Sequence, residues 1–486
     1  MSILTEALEV EDAEASANYA GYHENALYPP IGYRQFVDDF LTQALSRASR
    51  QIAQGPVTPA LSRESIEAAL QFYDFKTPQP LQELLDSTIE LLKDGVVHFN
   101  HPCYFGLFNP APSFPAQCAD RIAAVFNPQL ASAVTSPAAV AIEAHTIAAV
   151  AKRAGLPAGS SGHFTSGGSE ANYTGLICAL THAHKDFALC GSRALSGMPT
   201  FYVSQDSHRA WLKIAHQAGI GRTSARLVRT DGAGRMDMSG LREAIGKDRE
   251  AGCIPVMIAA TAGTTNAGMV DPMRDCAQIA REEGIWLHVD AAWGGAAIAS
   301  DKLKPLLAGI ELADSITIDA HKWFAATMGC GMFITARPGL LSSAFHVAAS
   351  YMPPSGAQED PYVTTAQWSR RFVGLRLFLS LAAAGWKGYA RHVEKSVALA
   401  GNIAQALTAS GWRILNMPAL GVVCALPPGG RDVRPIVGRV LKSGRAWVSA
   451  ALFEGHEVVR ACVTHGESTA QDVAALVDSL NTALGS

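Results

Sequence analysis

The chain has 486 residues, 48% of them apolar and 17% charged, with a formal net charge of −4. That composition supports a large buried core and excludes a disordered chain, and with no basic stripe a nucleic-acid partner is not expected. At roughly 150 residues per domain, the length predicts about three domains.

The opening stretch, MSILTEALEVEDAEASANYAGY, is acidic and lacks the charged-then-apolar pattern of a secretory signal. No apolar run is long enough to span a bilayer, because charges or glycine break the alanine-rich stretches. Nine cysteines (103, 118, 178, 190, 253, 276, 330, 424 and 462) fall singly, with no CxxC pair and no Cys/His spacing suited to a metal. They predict reduced thiols in a cytoplasmic protein, and no metal site.

Residues 1–110 read as an N-terminal helical segment. SIEAALQFYDF and PLQELLDSTIELLKDGV carry apolar residues at helical spacing, separated by turns at Tyr28-Pro29-Pro30 and Thr77-Pro78. The segment has little continuous apolar sequence, so it is expected to pack on another surface, such as a partner subunit. From 111 to 378 the strand candidates TFYVS, IPVMIAATAG, IWLHVDAA, SITIDA and GMFITA alternate with helical patterns such as MRDCAQIAREEG. That alternation predicts an α/β domain with a mostly parallel central sheet. The run RRFVGLRLFLSLAAAGWKGY then predicts a bridging helix. Residues 379–486 read as a small α+β domain with strands VVCALP and VVRACVT and a final helix QDVAALVDSLNTAL.

Three local patterns carry chemistry. In Ser315-Ile-Thr-Ile-Asp319-Ala-His321-Lys322-Trp323 a β-branched strand delivers a lysine, whose amine can form an imine with an aldehyde cofactor. In Trp286-Leu-His-Val-Asp290-Ala-Ala292 an apolar strand ends in an aspartate. A buried carboxylate there favours a protonated pyridine nitrogen, and the small Ala292 admits a ring face. In His163-Phe-Thr-Ser166-Gly167-Gly168-Ser169-Glu170-Ala-Asn172 glycines run into a helix start, suited to a phosphate. This run does not match the spacing of nucleotide-binding loops. His208, after the strand TFYV, can stack on an aromatic ring, and Ala260-Thr261-Ala-Gly263-Thr264-Thr265 closes another strand with hydroxyls. Each has a plainer reading: a surface lysine, a helix-capping aspartate, an ordinary turn, a structural histidine. Their joint order, nearly all at the carboxyl ends of predicted strands, is where ligands bind in open α/β sheets.

In these residues the chain resembles the group II pyridoxal 5′-phosphate (PLP)-dependent amino-acid decarboxylases, from about residue 20 to the C-terminus, with specific motifs between 98 and 376. The resemblance implies the aspartate aminotransferase-like fold (fold type I) and a homodimer with active sites at the interface. It implies that Lys322 is the Schiff-base lysine and that Asp290 pairs with the pyridinium nitrogen. His208 and Ala292 would then face the two sides of the ring, and Gly168, Ser169 and His321 would hold the phosphate. Thr264 or Thr265 would contact the cofactor. Ser136-Pro137 with Glu143, and Arg370-Arg371-Phe372, match two further family elements. Tyr351 lies where decarboxylases of the family carry a loop tyrosine that reprotonates the product, and Pro353, Pro354, Ser355 and Gly356 fit a mobile lid. Phe99, Leu107 and Phe108 match the substrate-lining stretch. Their apolar character, with Gly106-Leu107 where relatives acting on acidic substrates tend to carry Asn-Gln, points to an aromatic L-amino acid. Another PLP chemistry (aldehyde synthase, carbon–carbon lyase or aminotransferase) or a non-aromatic substrate would use the same cofactor residues. Two departures from the family pattern stand out: Asp319 where several relatives have Asn, and Arg209 where some have Ser. A carboxylate repels a phosphate dianion, so Asp319 must turn toward a donor, take a proton or stand apart.

Overall fold

The structure is a computed structural model that describes residues 27–337, 339–352 and 360–485. The lid residues Pro353, Pro354, Ser355 and Gly356 lie outside the described residues, as does the acidic opening stretch up to residue 26.

The N-terminal part is helical: α1 (Ile31–Gln54), α2 (Arg63–Leu70) and α3 (Leu81–Gly95). Ser62 caps α2 by accepting the Ser65 N–H at 3.2 Å. The expected helix SIEAALQFYDF is therefore only partly formed. It stops at Leu70, because the Asp74 carboxylate takes the N–H groups of Lys76 and Thr77 into a turn, with Phe75 at φ 58°. Residues 103–105 do not wait for a partner. Phe105 N–H donates to Trp447 O, Cys462 N–H donates to Phe105 O, and Tyr104 and Phe105 are buried in the same core as the C-terminal strands.

Next come α4 (Phe114–Phe126), α5 (Pro137–Ala154), β1 (Ser161–Thr165), α6 (Gly168–Ala183), β2 (Pro199–Ser204), α7 (Ala210–Gln217), β3 (Ala225–Val228), α8 (Met238–Glu250), β4 (Ile254–Thr261), α9 (Met273–Glu283), β5 (Trp286–Asp290), β6 (Ser315–Asp319) and β7 (Gly331–Thr335). These strands form one sheet in the order β1-β7-β6-β5-β4-β2-β3. Only β7 runs antiparallel to its neighbours, so the sheet is mostly parallel, as expected. Strands β2, β5 and β6 are buried at every position, which is why they read as near-continuous apolar runs. Strands β4 and β7 also fall on predicted runs, whereas β1 and β3 carry no such signal. β1 carries a glycine and a histidine, and β3 has four residues.

Helix α10 (Gly374–Ala409) spans both halves and breaks at Gly385 (φ 62°, ψ 173°). It starts four residues after the predicted start at Arg370, because Arg370 forms a β-bridge with Leu130. Beyond it, β8 (Arg413–Ile414), β9 (Val422–Leu426), β10 (Ser449–Phe453) and β11 (His456–Cys462) make an antiparallel sheet ordered β10-β11-β9-β8, with α11 (Val433–Ser443) and α12 (Ala470–Leu484) against it. A reciprocal Thr469–Asp472 cap opens α12. Among the described residues, no helix is long and apolar enough to cross a membrane.

Candidate active site

The carboxyl ends of the parallel strands converge on a cavity of about 360 Å³. Gly168, Ser169, His208, Thr265, Asp290, Ala292, His321, Lys322 and Phe108 all line it. Residues spread over more than two hundred positions are therefore brought together, most of them by strand order and Phe108 by its packing on Trp293 and Arg460.

Lys322 follows β6 in a turn closed by its own N–H on Asp319 O. Its Nζ lies 3.0 Å from Asp319 Oδ2. The family departure at 319 has thus turned toward a donor, while Asp319 Oδ1 is buried without a partner. His321 keeps Nδ1 against the peptide groups of Cys330, leaving Nε2 3.9 Å from Asp319 Oδ2. Asp290 accepts from Asn172 Nδ2 at 2.8 Å on one oxygen and from its own Ala292 N–H at 3.1 Å on the other. Each carboxylate oxygen has two acceptor sites, so capacity remains for a further N–H donor.

Gly167 (φ 156°) turns the chain into α6. A side chain at Gly168 would put Cβ 2.8 Å from Asp319 Oδ2 and 3.3 Å from Ala292 Cβ, so only glycine fits this approach. The N–H groups of Glu170 and Ala171 return to Gly167 O. The donors at the helix mouth are therefore those of Gly168 and Ser169, a cradle for an anion. His208 Nδ1 accepts the Ala210 N–H at 3.2 Å, which places its proton on Nε2. Desolvation pulls its pKa below the ordinary imidazole value, against the opposing charge of Asp290. An aldehyde-accepting amine, a carboxylate for a ring nitrogen, an imidazole, a small residue and a phosphate cradle in one cavity fit PLP.

The other predicted residues are placed as follows. Of the threonines, Thr265 lines the cavity, while the buried Thr264 hydroxyl accepts the Met269 N–H within its turn. Phe99 lines a neighbouring cavity of about 680 Å³ that shares His321 and Met328 with the first. Leu107 is half exposed and outside both. Tyr351 is 73% exposed, its ring stacked on Trp368 at 6.1 Å rather than lining the cavity of its own chain. Arg209 is exposed. The two remaining family elements meet: Arg370 Nη1 donates to Glu143 Oε2 at 2.9 Å and Gly374 N–H donates to Glu143 Oε1, tying α5 to the start of α10. Burial pushes the Glu143 carboxyl up, and Arg370 opposes this.

Two residues were missed. Trp293 stacks on Phe108 at 4.0 Å and 9°, and on Trp323 at 4.8 Å and 8°. Arg460, on β11, is 2% exposed and holds its guanidinium 4.7 Å from the Phe108 ring centroid. It donates to Thr265 O and Gly106 O, and its Nη2 is buried without a partner. The signal was an arginine in the middle of the apolar strand VVRACVT.

The sequence profile of the pyridoxal-dependent decarboxylase conserved domain matches residues 62–425. A tyrosine decarboxylase of Oryza sativa subsp. japonica is 30% identical over 378 residues, covering 75% of this chain and 70% of that one. An acidic amino acid decarboxylase of Mus musculus is 29% identical over 385 residues, 74% of this chain and 69% of that one. The fold matches the crystal structure of Oryza sativa TDC with PLP and tryptamine at a TM-score of 0.85 and 24% identity, covering 94% of this chain and 99% of that one. The chain belongs to the pyridoxal-dependent decarboxylase family, PLP-dependent lyases acting on amino acids.

Proposed function

We propose that this enzyme decarboxylates an aromatic L-amino acid to the amine and CO2, as a homodimer in the cytoplasm. The observation that carries the substrate reading is the aromatic wall. Phe108, stacked on Trp293, faces Lys322 with the amine 5.8 Å from its ring centroid. Aromatic rings gain from such offset and edge contacts beyond simple area burial.

PLP, when bound, supplies the electron sink that lets a bond at the amino-acid Cα break. Lys322 would hold the cofactor through its amine at the cavity wall. Asp290 holds a proton on the ring nitrogen. Gly168, Ser169 and His321 anchor the phosphate. His208 and Ala292 would hold the cofactor ring, and Thr265 would contribute from the loop after β4. Arg460 offers its spare donor to the substrate carboxylate, aligning the bond that must break. Tyr351 supplies the proton that replaces CO2 at Cα.

Dimerisation is supported by exposed apolar side chains on α4, where Phe114, Ile122, Val125 and Phe126 face outward. Residues 1–110, 111–378 and 379–486 are proposed as its three structural units. All nine cysteines are free, as a reducing compartment would keep them. A second reading, decarboxylation of an acidic amino acid, is favoured by one observation: the buried Arg460 cation could hold a side-chain carboxylate. Product analysis of the PLP-loaded protein against a panel of L-amino acids tests the proposal. Amine and CO2 in equal amounts, fastest from Trp, Tyr or Phe, are expected. Aldehyde or keto acid as the main product, or a preference for Glu or Asp, would overturn it.

A further inference from the structure

Behind the Asp290 carboxylate runs an unbroken line of buried polar side chains. Asn172 Nδ2 donates to Asp290 Oδ2 at 2.8 Å. Asn172 Oδ1 lies 3.0 Å from His288 Nε2, and His288 Nδ1 lies 2.8 Å from Ser315 Oγ. Trp286 Nε1 donates to the same Ser315 Oγ at 2.9 Å. Asn172, His288, Ser315, Trp286 and Asp290 are all buried.

Chemistry fixes the direction of every bond. A carboxylate only accepts, so the amide must turn its nitrogen to Asp290 and its oxygen to His288. His288 then carries its proton on Nε2, and Nδ1 must accept from the Ser315 hydroxyl. That hydroxyl's remaining acceptor site takes the indole N–H of Trp286. All the dipoles therefore point the same way, toward the Asp290 carboxylate. His288 itself stays neutral: burial pulls it down to about 4, against the opposite pull of Asp290. The backbone makes room for the line, since a side chain at Gly175 would put Cβ 2.8 Å from His288 Nδ1. Asn172 also stands four residues after Gly168, one turn below the phosphate cradle on the same helix.

We infer that Asn172 and His288 are positioning residues for the reaction, orienting Asp290 toward the cofactor ring nitrogen and holding the proton there. The inference rests on the placement of Asp290 proposed above. Cutting the line at Asn172 removes one donor from the carboxylate at the cavity wall, whereas His288 and Ser315 lie behind the wall and do not line the cavity.

The test has two readouts that need no turnover. One is the ¹⁵N resonance of ring-labelled PLP bound to the enzyme. The other is the ratio of affinities of the apoenzyme for PLP and for the analogue with CH in place of the ring nitrogen. In Asn172→Leu the ratio should fall about tenfold, the equivalent of one pKa unit on the ring nitrogen, and the resonance should move toward unprotonated pyridine. His288→Phe should move both in the same direction, and His288→Gln, which restores a donor, should largely recover them. Should Asn172→Leu fail to fold, Ser315→Ala deletes a single hydroxyl from the line and should lower the ratio by a smaller factor. Parental values in these folded variants, alongside an Asp290→Asn control that loses both signals, would overturn the inference. An Asp290→Asn control that also keeps both would overturn the placement of Asp290 itself, and the inference with it.

Discussion

The Lys322 amine and the Asp319 carboxylate form an ion pair at 3.0 Å across one turn at the end of β6, beside the phosphate cradle. The pair places a negative charge where the proposed ligand also brings one. Asp319→Asn should therefore tighten binding of inorganic phosphate to the apoenzyme by roughly tenfold. Two unit charges about 6 Å apart at an effective dielectric near 40 interact by about 1.4 kcal/mol. Isothermal titration checks this, and unchanged phosphate affinity would mean that the anion binds elsewhere.

Arg460→Met should raise KM for the amino acid by about two orders of magnitude while leaving PLP affinity within a few fold. Charge-assisted hydrogen bonds contribute about 1.5–3 kcal/mol each. Steady-state kinetics beside a PLP titration separate the two. A large loss of PLP affinity would place Arg460 on the cofactor instead.

Tyr351→Phe should change what is made. Phenylalanine keeps the ring and its packing on Trp368 but removes the acidic hydrogen. With reprotonation of Cα slowed, O2 gains time to react, giving aldehyde, ammonia and hydrogen peroxide in place of amine. Amine and aldehyde are quantified together under air and under nitrogen. Amine at the parental rate with no aldehyde would remove Tyr351 from the mechanism.

His163 is buried on β1 with neither ring nitrogen bonded. Burial pulls its pKa down to about 3, with the nearby Arg370 cation adding to the effect. The folded state thus refuses a proton that the unfolded chain accepts below about 6.5. Stability is full above that pH and falls as pH drops toward 3, by about 2 kcal/mol at pH 5. His163→Phe should raise Tm at pH 8, by removing about 1–3 kcal/mol of unpaired polar burial, and raise it further at pH 5. Thermal unfolding at the two pH values checks this, and an equal shift at both would show that His163 does not titrate in this window.

Much of the fold was legible because buried parallel strands write themselves as apolar runs, and because the residues at their carboxyl ends are those that can do chemistry. Lys322, Asp290 and Gly168 could be picked out for that reason. What could not be read were contacts made by packing across the chain. Arg460 reaches Phe108 from another sheet, Trp293 stacks on two rings, and the line from Trp286 to Asp290 joins β5, β6 and α6. Asp74 ended a helix whose apolar spacing continued beyond it, since periodicity does not register a carboxylate that captures backbone donors.

The central claim, that this cavity holds PLP on Lys322, is tested most directly by borohydride reduction of the PLP-loaded protein followed by peptide mapping. The account predicts a pyridoxyl group on Lys322, and its absence from a folded Lys322→Ala variant that has lost turnover. A pyridoxyl group on a different lysine, or turnover that survives Lys322→Ala, would contradict it.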